Sequence, residues 1–283
     1  MKKLLLILCI LSALLFCYGC SGQDNEITPG ARRRASEATP APTVTPSEAP
    51  TVTPTPTVTP TPTATPVPTG FSDNKMHPEA YGYTAEEVLS YFLETGLQAE
   101  YTGGRDYNYI KKWLKPVIVK AEGNPDEDDY AVMNKLFDGL NKVPGFPGIR
   151  FADDGEDACL VIRFLDDESY KQYAYEAIGD IYTDGYSLIW FLSGEISKAE
   201  IGIRTSLTRT NKNHVILEEI VQSLGIQNDS YSHPDSLFYQ GYNEPQEPTV
   251  LDWLLVEFMY RDEIKPLMRA EDVMEAARLI FAY

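Results

Sequence analysis

The segment NKNHVILEEIVQSLGIQND, residues 211–229, decides the fold that we expect for this chain. Its apolar residues recur at positions i, i+3, i+4 and i+7, which is the spacing of one buried face of an α-helix. These residues are Leu217, Ile220, Val221 and Leu224. Gly225 follows directly, and glycine most easily adopts the left-handed conformation that ends a helix. The segment therefore predicts a helix over Asn211–Leu224 that ends in a sharp turn.

Polar side chains lie beside this apolar face and just beyond the turn. The residues that could carry chemistry are His214, Glu218, Glu219, Gln222, Asn228 and Asp229. A spacing of four residues places His214, Glu218 and Gln222 on one helix face. Consecutive helical residues point about 100° apart, so Glu218 and Glu219 do not form an obvious catalytic pair. An exposed acidic helix face without chemistry is the alternative interpretation.

The spacing resembles the metzincin zinc-peptidase motif, His-Glu-x-x-His-x-x-Gly-x-x-His, in which the histidines bind zinc and the glutamate is the general base. Glu219 and Gly225 match the glutamate and the glycine of that motif. The residues at its three histidine positions are Glu218, Gln222 and Asn228. Further on, Asp235–Tyr239 resembles the metzincin Met-turn, with Phe238 at the methionine position. The resemblance implies a zincin-like fold that has lost its zinc ligands.

Further segments carry a closer resemblance. They are Trp113–Val117, Glu218–Gly225, Asn228–Ser230, Ser236–Phe238, Leu251-Asp252 and Lys265–Met268. Together they resemble a bacterial family called domain of unknown function 2927, whose members are often described as lipoproteins. Leu267 departs from the glycine expected before Met268. This resemblance implies the same zincin-like fold and no known activity, and a fold alone does not define a function.

Strand and helix patterns alternate in the rest of the chain. Thr84 begins a helix with a capping box, because Glu87 follows three residues later. The other predicted helices are Asp126–Lys142, Val250–Tyr260 and Ala270–Phe281, and the predicted strands are Pro116–Val119, Ala158–Phe164, Ser187–Leu192 and Ala199–Leu207. This order predicts an α/β (α+β) domain, in which helices flank a mixed sheet and the motif helix precedes C-terminal helices.

The first 20 residues predict a signal peptide. Lys2 and Lys3 precede an apolar run, Leu4–Phe16, that is too short for a confident membrane span. The following Cys17-Tyr18-Gly19-Cys20 resembles the lipobox of bacterial lipoproteins, with Cys17 where leucine is usual. We therefore expect lipidation at Cys20, a cell membrane lipid anchor and an extracytoplasmic location. An ordinary secretory signal is the alternative.

Residues 21–70 predict a disordered tether, and residues 71–283 the globular zincin-like domain. Thr39–Thr69 consists almost entirely of Thr, Pro, Ala and Val, which cannot bury a core and favours extended polyproline II. At about 3.1 Å per residue, thirty such residues reach about 90 Å.

The charge belongs to the predicted domain. The chain has 42 acidic and 24 basic residues. Four of the acidic and five of the basic residues precede position 71, so the domain carries 38 acidic and 19 basic residues and a net charge of −19. This balance excludes nucleic acid as a partner, because phosphate binding needs clustered Lys and Arg. It favours a neutral or cationic partner. Acidic clusters such as Asp126–Asp129 are interpreted as solvated loops and helix starts.

We expect no cofactor, and zinc least of all. The amide oxygens of Gln222 and Asn228 are weak zinc ligands. A set of oxygen ligands suits Ca²⁺, Mg²⁺ or Mn²⁺ better. A non-zinc divalent cation bound by His214, Glu218 and Gln222 therefore stays open as an alternative.

The leading hypothesis is a non-catalytic domain that binds a peptide, protein or cell-wall ligand. The cleft that we expect is formed by Glu218, Gln222, Asn228, Asp229 and Tyr239. Tyr231 and Tyr242 also follow the motif helix, and tyrosine rings can stack on a sugar or a peptide. The alternative is a peptidase-like hydrolase with Glu219 as its general base. A third hypothesis is a passive structural stalk and cap, which a fully packed face of Glu218, Glu219 and Gln222, with no cleft, would favour.

Overall fold

The computed structural model describes residues 26–30, 74–97 and 107–281 of the 283-residue chain. The predicted signal peptide and Cys20 lie outside these ranges, as does most of the predicted tether. None of the helices within the ranges is long and apolar enough to cross a membrane.

A mixed sheet of seven strands lies at the centre of the described part of the chain. The strands are β1 (Glu26–Gly30), β2 (Lys112–Trp113), β3 (Val117–Gly123), β4 (Ile149–Phe151), β5 (Leu160–Leu165), β6 (Gly185–Leu192) and β7 (Glu195–Arg204). Their order across the sheet is β1-β6-β7-β5-β3-β4, and β2 pairs with the start of β7. β4, β3, β5 and β7 are parallel, whereas β6 runs antiparallel to β7 and β1 antiparallel to β6.

Helices cover both faces of this sheet. In the described ranges they are α1 (Ala85–Leu97), α2 (Glu127–Leu140), α3 (Asp167–Ile178), α4 (Arg209–Gln222), α5 (Val250–Tyr260) and α6 (Ala270–Ile280). α3 packs on β5, β6 and β7, and α4 packs on β6, β7 and α2. Leu188 of β6 joins the apolar cluster under α3, while its neighbour Ile189 joins the main core. The prediction of an α/β domain with a helix-flanked mixed sheet is confirmed.

The sequence patterns did not predict α3, β4 or the turn between β6 and β7. α3 follows the acidic run at Asp166, whose side chain accepts a hydrogen bond from the Ser169 backbone N–H and so caps the helix. β4 has only three residues. β6 and β7 are joined by Ser193 and Gly194, which both have positive φ angles, 52° and 75°. Two such residues suit the tight turn of a β-hairpin.

β1 comes from a part of the chain that the sequence analysis assigned to the tether. Its five residues pair antiparallel with β6, from Glu26 opposite Phe191 to Gly30 opposite Ser187. Pro29 has no backbone N–H, and proline is tolerated in strands at the edge of a sheet. The 43 residues 31–73 separate β1 from Asn74, where the next described range begins.

α4 is buried over most of its length. Every residue from His214 to Gln222 is buried, including the ionisable ones. The interpretation of an exposed acidic helix face is therefore wrong, because Glu218 and Glu219 are both fully buried.

The first turn of α4 is held by ion pairs to the start of α2. Arg209 Nη1 and Lys212 Nζ lie 2.6 and 2.9 Å from Asp129 Oδ1, and both side chains also pair with Asp126. A hydrogen bond from the Asp129 backbone N–H, together with Arg209, holds the pKa of Asp126 well below its usual value. The interpretation of this acidic cluster as solvated is wrong for Asp129, which is fully buried.

At the other end of α4, side chains of β2 and α5 donate hydrogen bonds to the carbonyl groups that follow the helix. Trp113 Nε1 donates to the Ser223 carbonyl, and the Tyr260 hydroxyl donates to the Leu224 carbonyl, both at 3.0 Å. Gly225 then turns the chain with φ 115°. A Cβ at this glycine would lie only 1.9 Å from the carbonyl oxygen of Lys111. The predicted turn is confirmed, and it requires glycine for two reasons.

We expect Gly225→Ala to lower the free energy of unfolding by about 3 kcal/mol, because it adds a backbone clash to an unfavourable φ angle. Gly155→Ala is the matched control, since Gly155 also has a positive φ, 80°, but open space around its Cβ position. The control should cost about 1 kcal/mol. Urea denaturation measures both, and equal losses would contradict the role given to the Lys111 carbonyl.

Candidate functional site

His214 and Glu218 form one part of the polar cluster on α4. His214 Nε2 lies 3.4 Å from Glu218 Oε2, one helical turn away, and both side chains are fully buried. The predicted common face of these two residues is therefore confirmed. The face points into the protein and not into an open cleft.

Glu219 lies on a different side of α4, against the start of β6. A Cβ at Gly185 would come within 2.7 Å of Glu219 Oε1 and 2.5 Å of Val215, so the glycine makes room for the carboxylate. Burial raises the pKa of the nearby Tyr170 hydroxyl, and the charge of Glu219 adds to this rise. The carboxylate of Glu219 is thus fully buried beside Gly185 of β6, and it lies close enough to the Tyr170 hydroxyl to affect its pKa.

Gln222 meets the chain that returns after the glycine turn. Its Nε2 donates to Asp229 Oδ1 at 2.9 Å, and both side chains are buried. The side chain of Asn228 does not contact Gln222 through its amide nitrogen. Its Nδ2 donates instead to the carbonyl oxygens of Glu94 and Asp229, at 3.1 and 2.9 Å. The residue that approaches Gln222 is therefore one position later than the metzincin spacing implies.

Two sets of hydrogen bonds hold Asp235–Tyr239, the segment compared with the Met-turn. The Ser230 backbone N–H donates to the Phe238 carbonyl at 2.8 Å, which joins the segment to the chain beyond Asp229. The buried carboxylate of Asp252 accepts hydrogen bonds from the Ser236 hydroxyl and the Leu237 N–H, and burial raises the pKa of Asp252. Tyr239 is half-buried at the end of the segment, with its ring centre 6.2 Å from that of Tyr231.

This arrangement does not fit a zinc ion. Gln222 points its N–H₂ group at Asp229, and Asn228 is engaged with backbone carbonyls of α1 and its own segment. Within the described ranges, no three His, Cys, Asp or Glu side chains are grouped so that they could hold a metal ion. A buried Glu219 also has no open path to a substrate, so general base chemistry would require the packing around α4 to open.

An open cleft lies at the N-terminal end of α4, where the sequence analysis did not place one. Its volume is about 570 Å³. Its lining includes Asp184, Arg204, Thr208, Asn211, Tyr242 and Glu244. Asn211 Nδ2 donates to Asp184 Oδ2 at 3.0 Å, and Arg204 Nη2 donates to the Ile181 carbonyl at 3.0 Å. Only Tyr242 was among the residues that sequence reasoning had noted.

Comparison with known families decides where the chain belongs. The model of the family described as Protein of unknown function (DUF2927) matches residues 85–278. The chain belongs to this family. The match runs from the start of α1 into α6, and extends beyond Trp113–Met268 at both ends. No curated protein and no solved structure matches the chain. Membership of DUF2927 therefore brings no activity with it.

We expect Gln222→Leu to destabilise the DUF2927 domain by about 2 kcal/mol, because it removes a donor from a buried carboxylate at nearly constant volume. Gln172→Leu is the matched control, since Gln172 lies exposed on α3 and donates to Glu176 at 3.3 Å. Its effect should stay within about 0.5 kcal/mol. Thermal and urea unfolding measure the difference. A loss for Gln222→Leu no larger than for the control would show that the bond to Asp229 is not structural.

Proposed function

We propose that the protein is a surface-anchored lipoprotein whose zincin-like domain is non-catalytic and binds a peptide, protein or cell-wall ligand. The observation that carries the non-catalytic part is the burial of the motif face. Glu218, Glu219 and Gln222 are all at most 1% exposed. Groups that must reach a substrate need access to it, whereas here they are used in internal contacts.

Three features of the described chain support the zincin-like part of the proposal. A long buried helix ends in a glycine with a left-handed conformation, at Gly225. The returning chain brings Asp229 to the side chain of Gln222 on that helix. The segment around Phe238, at the Met-turn position, is hydrogen-bonded to Ser230. These features are those expected of a zincin-like site whose zinc ligands have been replaced, and they support that part of the proposal.

The cleft at the start of α4 supports ligand binding over a purely passive cap. A fully packed motif face is what the passive hypothesis expects, but the same helix borders an open, polar space at its other end. The ring of Tyr242 is 67% exposed there and offers an apolar surface beside the polar side chains of Asp184, Asn211 and Glu244. Such a combination suits a sugar or a peptide.

The location follows from the N-terminal pattern. A charged start, an apolar run and Cys20 support export and a lipid anchor in the membrane. The acidic domain would then face the outside of the cell and meet neutral or cationic partners, not nucleic acid. A single acyl chain anchors weakly, so stable attachment calls for more than one acyl chain on the cysteine.

We expect the purified full chain to bind members of peptide or glycan libraries without cleaving them. Tyr242→Ala should weaken that binding by about three- to tenfold, because it removes an exposed aromatic surface from the cleft. Tyr175→Ala is the control, since Tyr175 lies on α3 with a nearly equal exposure of 68%. Calorimetry or fluorescence polarisation measures the affinities.

Two results would replace this proposal with another. Stoichiometric bound metal, together with turnover that Glu219→Gln abolishes, would establish the hydrolase alternative. Binding to no library member at all would favour the passive structural role.

Cys20→Ser should move the protein from the membrane fraction to the soluble fraction, because it removes the atom that carries the lipid. Cys17→Ser, three residues earlier, should leave the protein in the membrane. Fractionation followed by immunoblotting measures both variants. If Cys20→Ser stays in the membrane fraction, the lipobox interpretation is wrong.

A further inference from the structure

The outer edge of β6 is occupied by a strand that is distant in sequence. β1 supplies five backbone pairs to this edge, with Ile27 opposite Trp190 and Thr28 opposite Ile189. β6 is itself the last strand of the main body, so without β1 its outer N–H and C=O groups would form an open edge. An open sheet edge is a template for any extended chain that pairs with it.

The surroundings of this edge are apolar on both faces of the sheet. Leu188 is buried under α3, and Trp190 packs against the same cluster. Ile189 and Phe191 point to the other face and belong to the main core. An added strand is therefore flanked by apolar side chains above and below, which favours an extended polypeptide with apolar residues over a sugar chain.

Two features of β1 would favour its displacement by another strand. It has only five residues. The 43 residues 31–73 join it to the next described range. A long connection lowers the effective concentration of a strand at its own edge, so a free peptide can compete with it.

The direction of β1 also connects the edge with the cleft. β1 runs antiparallel to β6 and ends with Gly30 opposite Ser187, two residues from the start of β6 at Gly185. The preceding residue, Asp184, lines the cleft beside Tyr242. An extended chain that follows the course of β1 and continues beyond its end would approach this cleft.

We propose that the outer edge of β6 is the binding site for an extended peptide, and that β1 is the resident strand that such a peptide displaces. This inference rests on the proposed ligand-binding function and names its ligand class. Main-chain hydrogen bonds to β6 supply the recognition, and the cleft receives the part of the peptide beyond the strand.

The first test uses the full chain, extracted in mild detergent from whichever cell fraction holds it. The probe is a fluorescent peptide of residues 24–32, DNEITPGAR, and a scrambled peptide is its control. Backbone N–H groups alternate along a strand, so with Pro29 accommodated on the outer side of β1 the N–H of Thr28 faces β6. Thr28→Pro removes this donor and should prevent β1 from pairing, so this variant should bind the probe at least tenfold more tightly than the wild type does. Equal affinities for the two proteins, or no binding to either, would overturn the proposal. Circular dichroism confirms that the variant is folded.

The second test locks β1 in place, in a background with Cys159→Ser. Ile27→Cys/Trp190→Cys joins opposite residues and should form a disulfide that abolishes probe binding, with recovery on reduction. Ile27→Cys/Lys198→Cys is the control, because Lys198 pairs with Trp190 from β7, one strand further from β1. This pair should not cross-link. Equal cross-linking of both pairs, or probe binding to the locked protein, would contradict the proposed edge site.

The outcomes separate this inference from the proposed function. Peptide ligands from the library should compete with the probe in the Thr28→Pro variant. If the probe exchanges but no library member binds, the ligand-binding function fails and the strand site stands. If library peptides bind without displacing the probe, the function stands and the strand site is wrong.

Discussion

The carboxylate of Asp129, buried between Arg209 and Lys212, fixes the helix on which the rest of the domain depends. It joins the first turns of α2 and α4, which are far apart in sequence. A buried ion pair adds little net stability, because desolvation offsets most of the attraction. Its effect is to favour one placement of α4, since another would leave the buried charges of Asp129 and Lys212 without their partners. The sheet, the glycine turn and the chain beyond it are then positioned relative to that helix.

With α4 in this position, its polar and ionisable side chains point into the interior of the domain. The side chains that could have formed a reactive site contact other groups of the same domain: Glu218 with His214, Gln222 with Asp229. A catalytic zinc site keeps one coordination position open, because water or substrate must reach the metal. Here the polar cluster connects helix, sheet and returning chain instead. The open cleft lies instead where the start of α4 meets the start of β6 and the end of β7.

The sequence predicted most of the helices and strands, but not which side chains are buried or which distant residues they contact. Helical spacing located α4, and the reciprocal hydrogen bonds between Thr84 and Glu87 confirm the capping box of α1. The burial of Glu218 could not be foreseen, because local spacing does not say which layers cover a helix. The role of Asp129 depends on partners about 80 residues away. Leu267 is an instructive exception: it replaces an expected glycine and still has a positive φ, 68°, so the backbone turn is kept without the residue that makes it easy.

The position of β1 has a mechanical consequence. β1 begins six residues after Cys20, whereas the next described range begins 44 residues after β1 ends. When the chain is held at its N-terminus and the domain is pulled away, tension reaches the five pairs between β1 and β6 first. Once those pairs break, the 43 residues 31–73 can contribute up to about 140 Å of contour length. Pairing between β1 and β6 therefore keeps the distance between the N-terminus and the domain short at low force. At high force the pairs break, and that distance increases in a single step.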